Sequence, residues 1–233
     1  MQKSSRKTKS SRPLVVFDVD QTLVRAFDVH DQATNLTLKE IFGIDGWLED
    51  VDYEGQTVET NLTNICKAHK IKRWVISKYM PKAIRVYDKN FAESLKLRHK
   101  NMVLPGAIDL LERIKKTHDL AIVTGGTPRC AKALLRHVNL LSYFKTFVFG
   151  NTSQDRAVLL AKAIKKAGSH KDITAIGDSV RDIDAAKANG VRIISVLTGS
   201  TQYTRLKSRR PDYIARDLRD PNLRKLLGGH HVG

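Results

Sequence analysis

The sequence predicts an α/β protein, a parallel sheet wrapped by helices, with a helical insertion behind its first strand. Leu14-Val15-Val16-Phe17, Leu120-Ala121-Ile122-Val123 and Ile173-Thr174-Ala175-Ile176 are continuous apolar runs, the pattern of strands buried on both faces. From residue 103 onward such runs alternate with helical spacings, for example Ile108-Leu111-Ile114 and Val158-Leu159-Ala163. Between residues 26 and 102 no buried strand appears and the signals are helical.

Residues 1–12 carry Lys3, Arg6, Lys7, Lys9 and Arg12 among Ser and Thr, with no following apolar run of signal-peptide length, and read as a disordered basic tail. Residues 13–25 hold the first strand and the acidic loop that ends it, Asp18-Val19-Asp20-Gln21-Thr22. Residues 26–102 form the insertion. Helices are expected over Thr60–Ile71 and Arg73–Leu97, the second bent or broken at Pro81. Charge divides this segment: residues 26–60 hold nine acids and one base, Lys39, whereas 61–102 hold eleven bases and two acids, Asp88 and Glu93. Either the helices solvate these charges on their outer faces, or the bases form a wall facing an anionic ligand.

Leu104-Pro105-Gly106 marks the return into the core, which residues 103–229 complete. Inserted there, residues 26–102 overhang the C-terminal strand ends, where open parallel sheets bind ligands, and are expected to act as a lid. The second strand ends at Thr124-Gly125-Gly126 and the third at Gly177-Asp178-Ser179, with shorter strands expected at Phe147–Phe149, Arg192–Val196 and Tyr213-Ile214. Residues 230–233 read as a flexible end.

With 233 residues the chain can bury one well-packed domain carrying an insertion, and 41% hydrophobic with 28% charged residues excludes collagen-like, largely disordered and multispan membrane classes. Lys and Arg number 41 against 24 acids, a net +17, which brings polyanions and phosphorylated substrates into consideration as partners. Cys66 and Cys130 lack metal spacing and cannot make a disulfide framework, so a reducing cytoplasm is expected. No stretch approaches the roughly 18 apolar residues of a membrane span. Trp47 and Trp74 are expected to pack the insertion, and His30 and the other histidines, lacking paired metal spacing, receive no role.

Asp18 and Asp20 stand two apart at a strand end, and two carboxylates so close repel unless a cation joins them. Asp178 and Asp182, i and i+4 at the start of a helix, can approach one ion together or cap the helix and balance its dipole. Three strand ends therefore offer acids, then a hydroxyl with glycines, then acids again, the makings of an active site.

Asp18-x-Asp20-x-Thr22, Thr124 after an apolar strand, a cation near 156, and Gly177-Asp178 with Asp182 resemble, in order, the four motifs of the haloacid dehalogenase superfamily of phosphohydrolases. The insertion is similar to that family's helical cap of the first type. The resemblance implies a Rossmann-like core and a Mg2+-dependent phosphatase acting on a small phosphorylated metabolite, phosphoglycolate or similar. Asp18 would be the nucleophile, forming an aspartyl-phosphate, and Asp20 the general acid and base. Thr124, the Gly125 amide and a third-motif cation would hold phosphoryl oxygens. Asp18, the Asp20 carbonyl and Asp178 would bind Mg2+, with Asp182 assisting directly or through water. Arg156 is the best-placed cation, with Lys162 the alternative. Gln21 stands where many members carry Gly, and Gly55-Gln56-Thr57 faintly resembles a stretch of phosphoglycolate phosphatase-like caps. Alternatives are a nucleotide or nucleic-acid-end phosphatase, a phosphomutase, or a non-specific nucleic-acid-binding module on the same core.

Overall fold

The computed structural model describes residues 12–99 and 101–228; nearly all of the expected basic tail and the 230–233 end lie outside the described residues. Six parallel strands form one sheet in the order β3-β2-β1-β4-β5-β6: β1 Leu14–Phe17, β2 Asp119–Thr124, β3 Thr146–Phe149, β4 Ile173–Gly177, β5 Arg192–Val196 and β6 Tyr213–Ala215. Alternate residues of β1 face opposite sides: Val15 and Phe17 enter one apolar cluster, Leu14 and Val16 the other. All four are buried, and each such side chain contributes about 1.5–3 kcal/mol of transfer free energy.

β1 lies between β2 and β4, so the chain reverses its direction of propagation at the sheet centre, which opens a crevice at the strand C-termini. Helices α1 Phe27–Phe42, α2 Val58–Ala68 and α3 Arg73–Lys96 make up the insertion, and α1 packs along α3. α4 Ala107–Ile114, α5 Pro128–His137, α6 Arg156–Ala167, α7 Val180–Ala188, α8 Tyr203–Ser208 and α9 Leu223–Leu227 belong to the core. Among the described residues no helix is long and apolar enough to cross a membrane.

Several local expectations are corrected. Helix α3 runs unbroken through Pro81. Pro81 and Ser77, whose carbonyl loses its helical partner there, are both exposed, so water can replace the missing hydrogen bond. Trp74 and Trp47 are 63% and 43% exposed instead of packing the insertion; Met80, Tyr87 and Phe91 supply the buried apolar face of α3. Arg12, assigned to the tail by its composition, donates to the carbonyls of Lys115 and His118 at 2.7 and 2.8 Å.

Candidate active site

The ends of β1, β2 and β4 converge under the insertion around a cavity of about 100 Å³. Asp18, Asp20, Thr124, Gly125, Arg156, Asp178 and Asp182 all line it. Every residue expected at the site is thus brought together except Lys162. That lysine is exposed, and its ammonium donates to the Thr152 carbonyl.

Asp155 positions Arg156. Its carboxylate caps α6 by accepting from the Ala157 amide at 2.7 Å, which leaves Arg156 in the first turn pointing under the sheet ends. The guanidinium is 8% exposed; Nη2 pairs with Asp18 and, at 2.7 Å, with Asp182, whose Oδ1 also accepts from Nε at 2.9 Å. The fork is shared unequally, Nη2 facing both carboxylates and Nε adding a second bond to Asp182.

Ser179 caps α7, and Asp182 completes the capping box by accepting from the Ser179 amide at 3.1 Å and hydroxyl at 2.6 Å. A Cβ on Gly177 would stand 2.4 Å from the Asp182 carboxyl carbon, so glycine is required there. With both oxygens engaged, the Asp182 carboxylate positions Arg156 in this structure. Asp178 is fixed differently: the Thr22 hydroxyl donates to its Oδ1 at 3.0 Å.

Burial raises the Asp18 carboxyl to about 7; Arg156 opposes that rise, while Asp182 and Asp20 add to it. Burial also holds Asp178 well above the carboxylate range, with the charges of Asp18 and Asp182 acting in the same sense. Two buried acids, Asp18 and Asp178, beside a guanidinium already shared between Asp18 and Asp182, form an oxygen donor set suited to a hard divalent cation. Asp18 and Asp178 are the side chains that fit this role. Among the described residues no group of three or more His, Cys, Asp or Glu is gathered as a complete metal cage, so backbone and water would supply the remaining ligands.

Asp20 turns toward the insertion, where its Oδ1 lies 2.9 Å from His30 Nε2 on α1, and His30 Nδ1 meets the Tyr87 hydroxyl from α3. Burial keeps the Tyr87 phenol protonated, and the imidazole thus bridges that hydroxyl and the Asp20 carboxylate. His30 is the residue sequence reasoning missed. Its signal was helical rather than metal-like: Phe27, His30 and Thr34 lie on one face of α1, and all three line the cavity.

Thr124 is buried, and its Oγ1 accepts from the Gly126 amide at 3.0 Å, which aligns the loop after β2. The Val58 amide donates to the Gly125 carbonyl at 3.1 Å, and a Cβ on Gly125 would come within 2.0 Å of the Gln56 carbonyl oxygen. Only glycine lets the insertion rest this closely on the core. Around that contact Arg181 of α7 pairs with Asp52 at 2.7 Å and donates to the Glu54 carbonyl at 2.5 Å. The Glu54 carboxylate accepts from Ser200 and Thr201 at 2.6 and 2.7 Å, and Gln154 receives the hydroxyls of Thr57 and Thr60. The acids of the insertion thus bind it to the core. None of the described bases between 61 and 102 lines the cavity, which decides against the basic wall and leaves these charges on outer faces, the other alternative.

Residues 15–196 match the family model of haloacid dehalogenase-like hydrolases. A phosphoglycolate phosphatase of Aquifex aeolicus is 27% identical over 226 residues, 94% of this chain and 98% of that protein. Phosphoglycolate phosphatase 1 of Pseudomonas aeruginosa is 31% identical over 144 residues, 59% of this chain and 52% of that protein. Among solved structures, CbbY from Rhodobacter sphaeroides in complex with phosphate shares the fold at a TM-score of 0.73 and 18% identity, covering 90% of this chain and 96% of that one.

Proposed function

The chain belongs to the haloacid dehalogenase-like hydrolase family and is a hydrolase of phosphoric monoesters; we propose that it acts on a small phosphorylated metabolite through an aspartyl-phosphate formed on Asp18. What carries this reading is the juxtaposition in one small cavity of Asp18, paired with the buried Arg156, and Asp20, held by His30. A cavity of about 100 Å³ beneath the insertion suits a small ester better than a polymer such as a nucleic-acid end.

An Asp18 carboxylate oxygen attacks phosphorus as the bond to the leaving oxygen breaks, and Asp20 gives that oxygen its proton. The Asp20 carboxylate then takes a proton from water, whose oxygen attacks the same phosphorus and releases inorganic phosphate and free Asp18. His30 keeps the Asp20 carboxyl turned toward the leaving-group side through both halves. Arg156, the Thr124 hydroxyl and the Gly125 amide hold phosphoryl oxygens, and the closed lid excludes bulk water. Asp18 and Asp178, with the Asp20 carbonyl, would hold Mg2+, which supplies positive charge between anionic nucleophile and anionic phosphate. The compartment consistent with two buried, free thiols is a reducing cytoplasm.

The test is phosphate release from p-nitrophenyl phosphate and from a panel of small esters, phosphoglycolate included on the strength of the relatives' names, with and without Mg2+. Release that requires Mg2+ supports the reading; folded protein that releases none from any ester refutes it.

A further inference from the structure

We propose that the outer face of α3 binds single-stranded nucleic acid, a ligand distinct from the ester in the cavity. The bases of the insertion are not scattered over its surface. Trp74, Lys78, Lys82, Arg85, Lys89 and Lys96 follow one another at steps of three, four or seven residues, all exposed, on the side of α3 opposite its buried face of Met80, Tyr87 and Phe91. At about 1.5 Å per residue this stripe is about 33 Å long, with close to one positive charge per turn over its middle. None of its five bases pairs with a carboxylate among the described residues, whereas the exposed bases Lys39, Lys115 and Arg205 do. Of the two acids on α3, Asp88 accepts from the Thr127 hydroxyl of the core, and Glu93 stands exposed beside the C-terminal end of the stripe.

Like charges a turn apart repel, so Lys78 with Lys82, Lys82 with Arg85 and Arg85 with Lys89 oppose the helix that carries them unless an anion lies across them. A chain of phosphates supplies that anion turn after turn, and each phosphate contacted releases a counterion that the polymer had condensed. The N-terminal end of the stripe adds what separates a nucleic acid from other polyanions. The Trp74 ring is 63% exposed, and a base can stack on it. Between α2 and α3 near the same end lies a depression of about 440 Å³, with the buried Ile76 and Met80 at its base, Lys67 and Arg73 at its edge, and Glu59 also in its lining. It offers an unstacked base an apolar seat next to two cations, and bases free to leave their stack belong to single strands. An anionic membrane would require exposed aliphatic side chains along the same face, and the stripe holds none.

The experiment follows, by fluorescence anisotropy, binding of a labelled oligouridylate of about 20 nucleotides to the full chain over about 50–300 mM KCl. Beside the wild type stand Trp74→Ala, a stripe variant combining Lys78→Gln, Lys82→Gln, Arg85→Gln and Lys89→Gln, and a control that removes the same charge from exposed positions of the core, Lys116→Gln, Lys165→Gln, Lys171→Gln and Lys225→Gln. The stripe variant should bind about 100-fold or more weakly near 100 mM salt and lose about 3 from the slope of log Kd against log salt, at about 0.7 for each phosphate contact, while the control stays within about fivefold of the wild type. Trp74→Ala should weaken binding about fivefold or more with the slope unchanged. The stripe variant should melt no lower than the wild type, because its like charges are gone. Equal weakening in the stripe and control variants, or a wild type that holds polyglutamate or an RNA duplex as tightly as the oligouridylate, overturns the inference. Capture by phosphatidylserine vesicles without binding of the oligouridylate overturns it too, by giving the face to a membrane.

Discussion

Removing the Arg156 guanidinium should cost both activity and stability, and its burial sets the size of the effect. Arg156→Ala would leave Asp18 and Asp182, each about nine-tenths buried, facing one another without their shared counter-charge. Breaking a buried ion pair from one side costs about 3–5 kcal/mol, and each kcal/mol moves the melting temperature of a chain this size by about 2–4 °C, so a fall of about 6–20 °C is expected. The loss should depend on pH. Asp18, already raised to about 7 by burial, would lose the charge that opposes that rise. Its folded-state pKa would climb further above the unfolded value, so the folded variant would bind more protons than the unfolded chain and its stability would decline as pH rises through the region around and above 7. Calorimetry across pH 5–9, run beside Arg156→Ala with Asp182→Asn, measures this. The second substitution should restore about 1–3 kcal/mol by neutralising one stranded carboxylate. A fall below about 2 °C, or no recovery in the double variant, would refute the claim that this guanidinium holds the two acids together.

Lys162→Ala should leave kcat/KM within about twofold, since its ammonium serves an exposed carbonyl; a loss matching that of Arg156→Ala would reverse the assignment of the cation. Asp20→Asn should slow the reaction most for alkyl esters and least for p-nitrophenyl phosphate, because a good leaving group needs no proton; equal losses on both would argue against its acid role. Arg181→Ala should raise KM severalfold by loosening the lid, with stability changed by about 1 kcal/mol or less because the pair with Asp52 is partly exposed, and high salt should reproduce the effect in the wild type. Unchanged KM in both would show that this latch does not govern closure.

The parallel core was legible because both-face burial writes itself as uninterrupted apolar runs, and the acids at 18, 20, 178 and 182 were legible because strand ends are local features. Four things were not. Pro81 is a strong breaker locally, but exposure of its turn lets the packing of α3 on α1 carry the helix through. The partition of charge in the insertion could be counted, yet which face each base occupies depends on how three helices dock. Arg156 and Lys162 are six residues apart on α6, more than one turn, so the choice between them required the rotation of that helix against β1. His30 was passed over for want of a second metal-spaced histidine, when its partners were Asp20 across a turn and Tyr87 on another helix.

The central claim is that Asp18 becomes covalently phosphorylated, and rapid-quench mass spectrometry during turnover of a small phosphate ester tests it most directly. The account predicts one phosphoryl group, labile to hydroxylamine, on the peptide containing Asp18, and its loss together with turnover in an Asp18→Asn variant that stays folded. Sustained turnover with no phosphoenzyme at any quench time, or a variant that retains most of its activity, would contradict it.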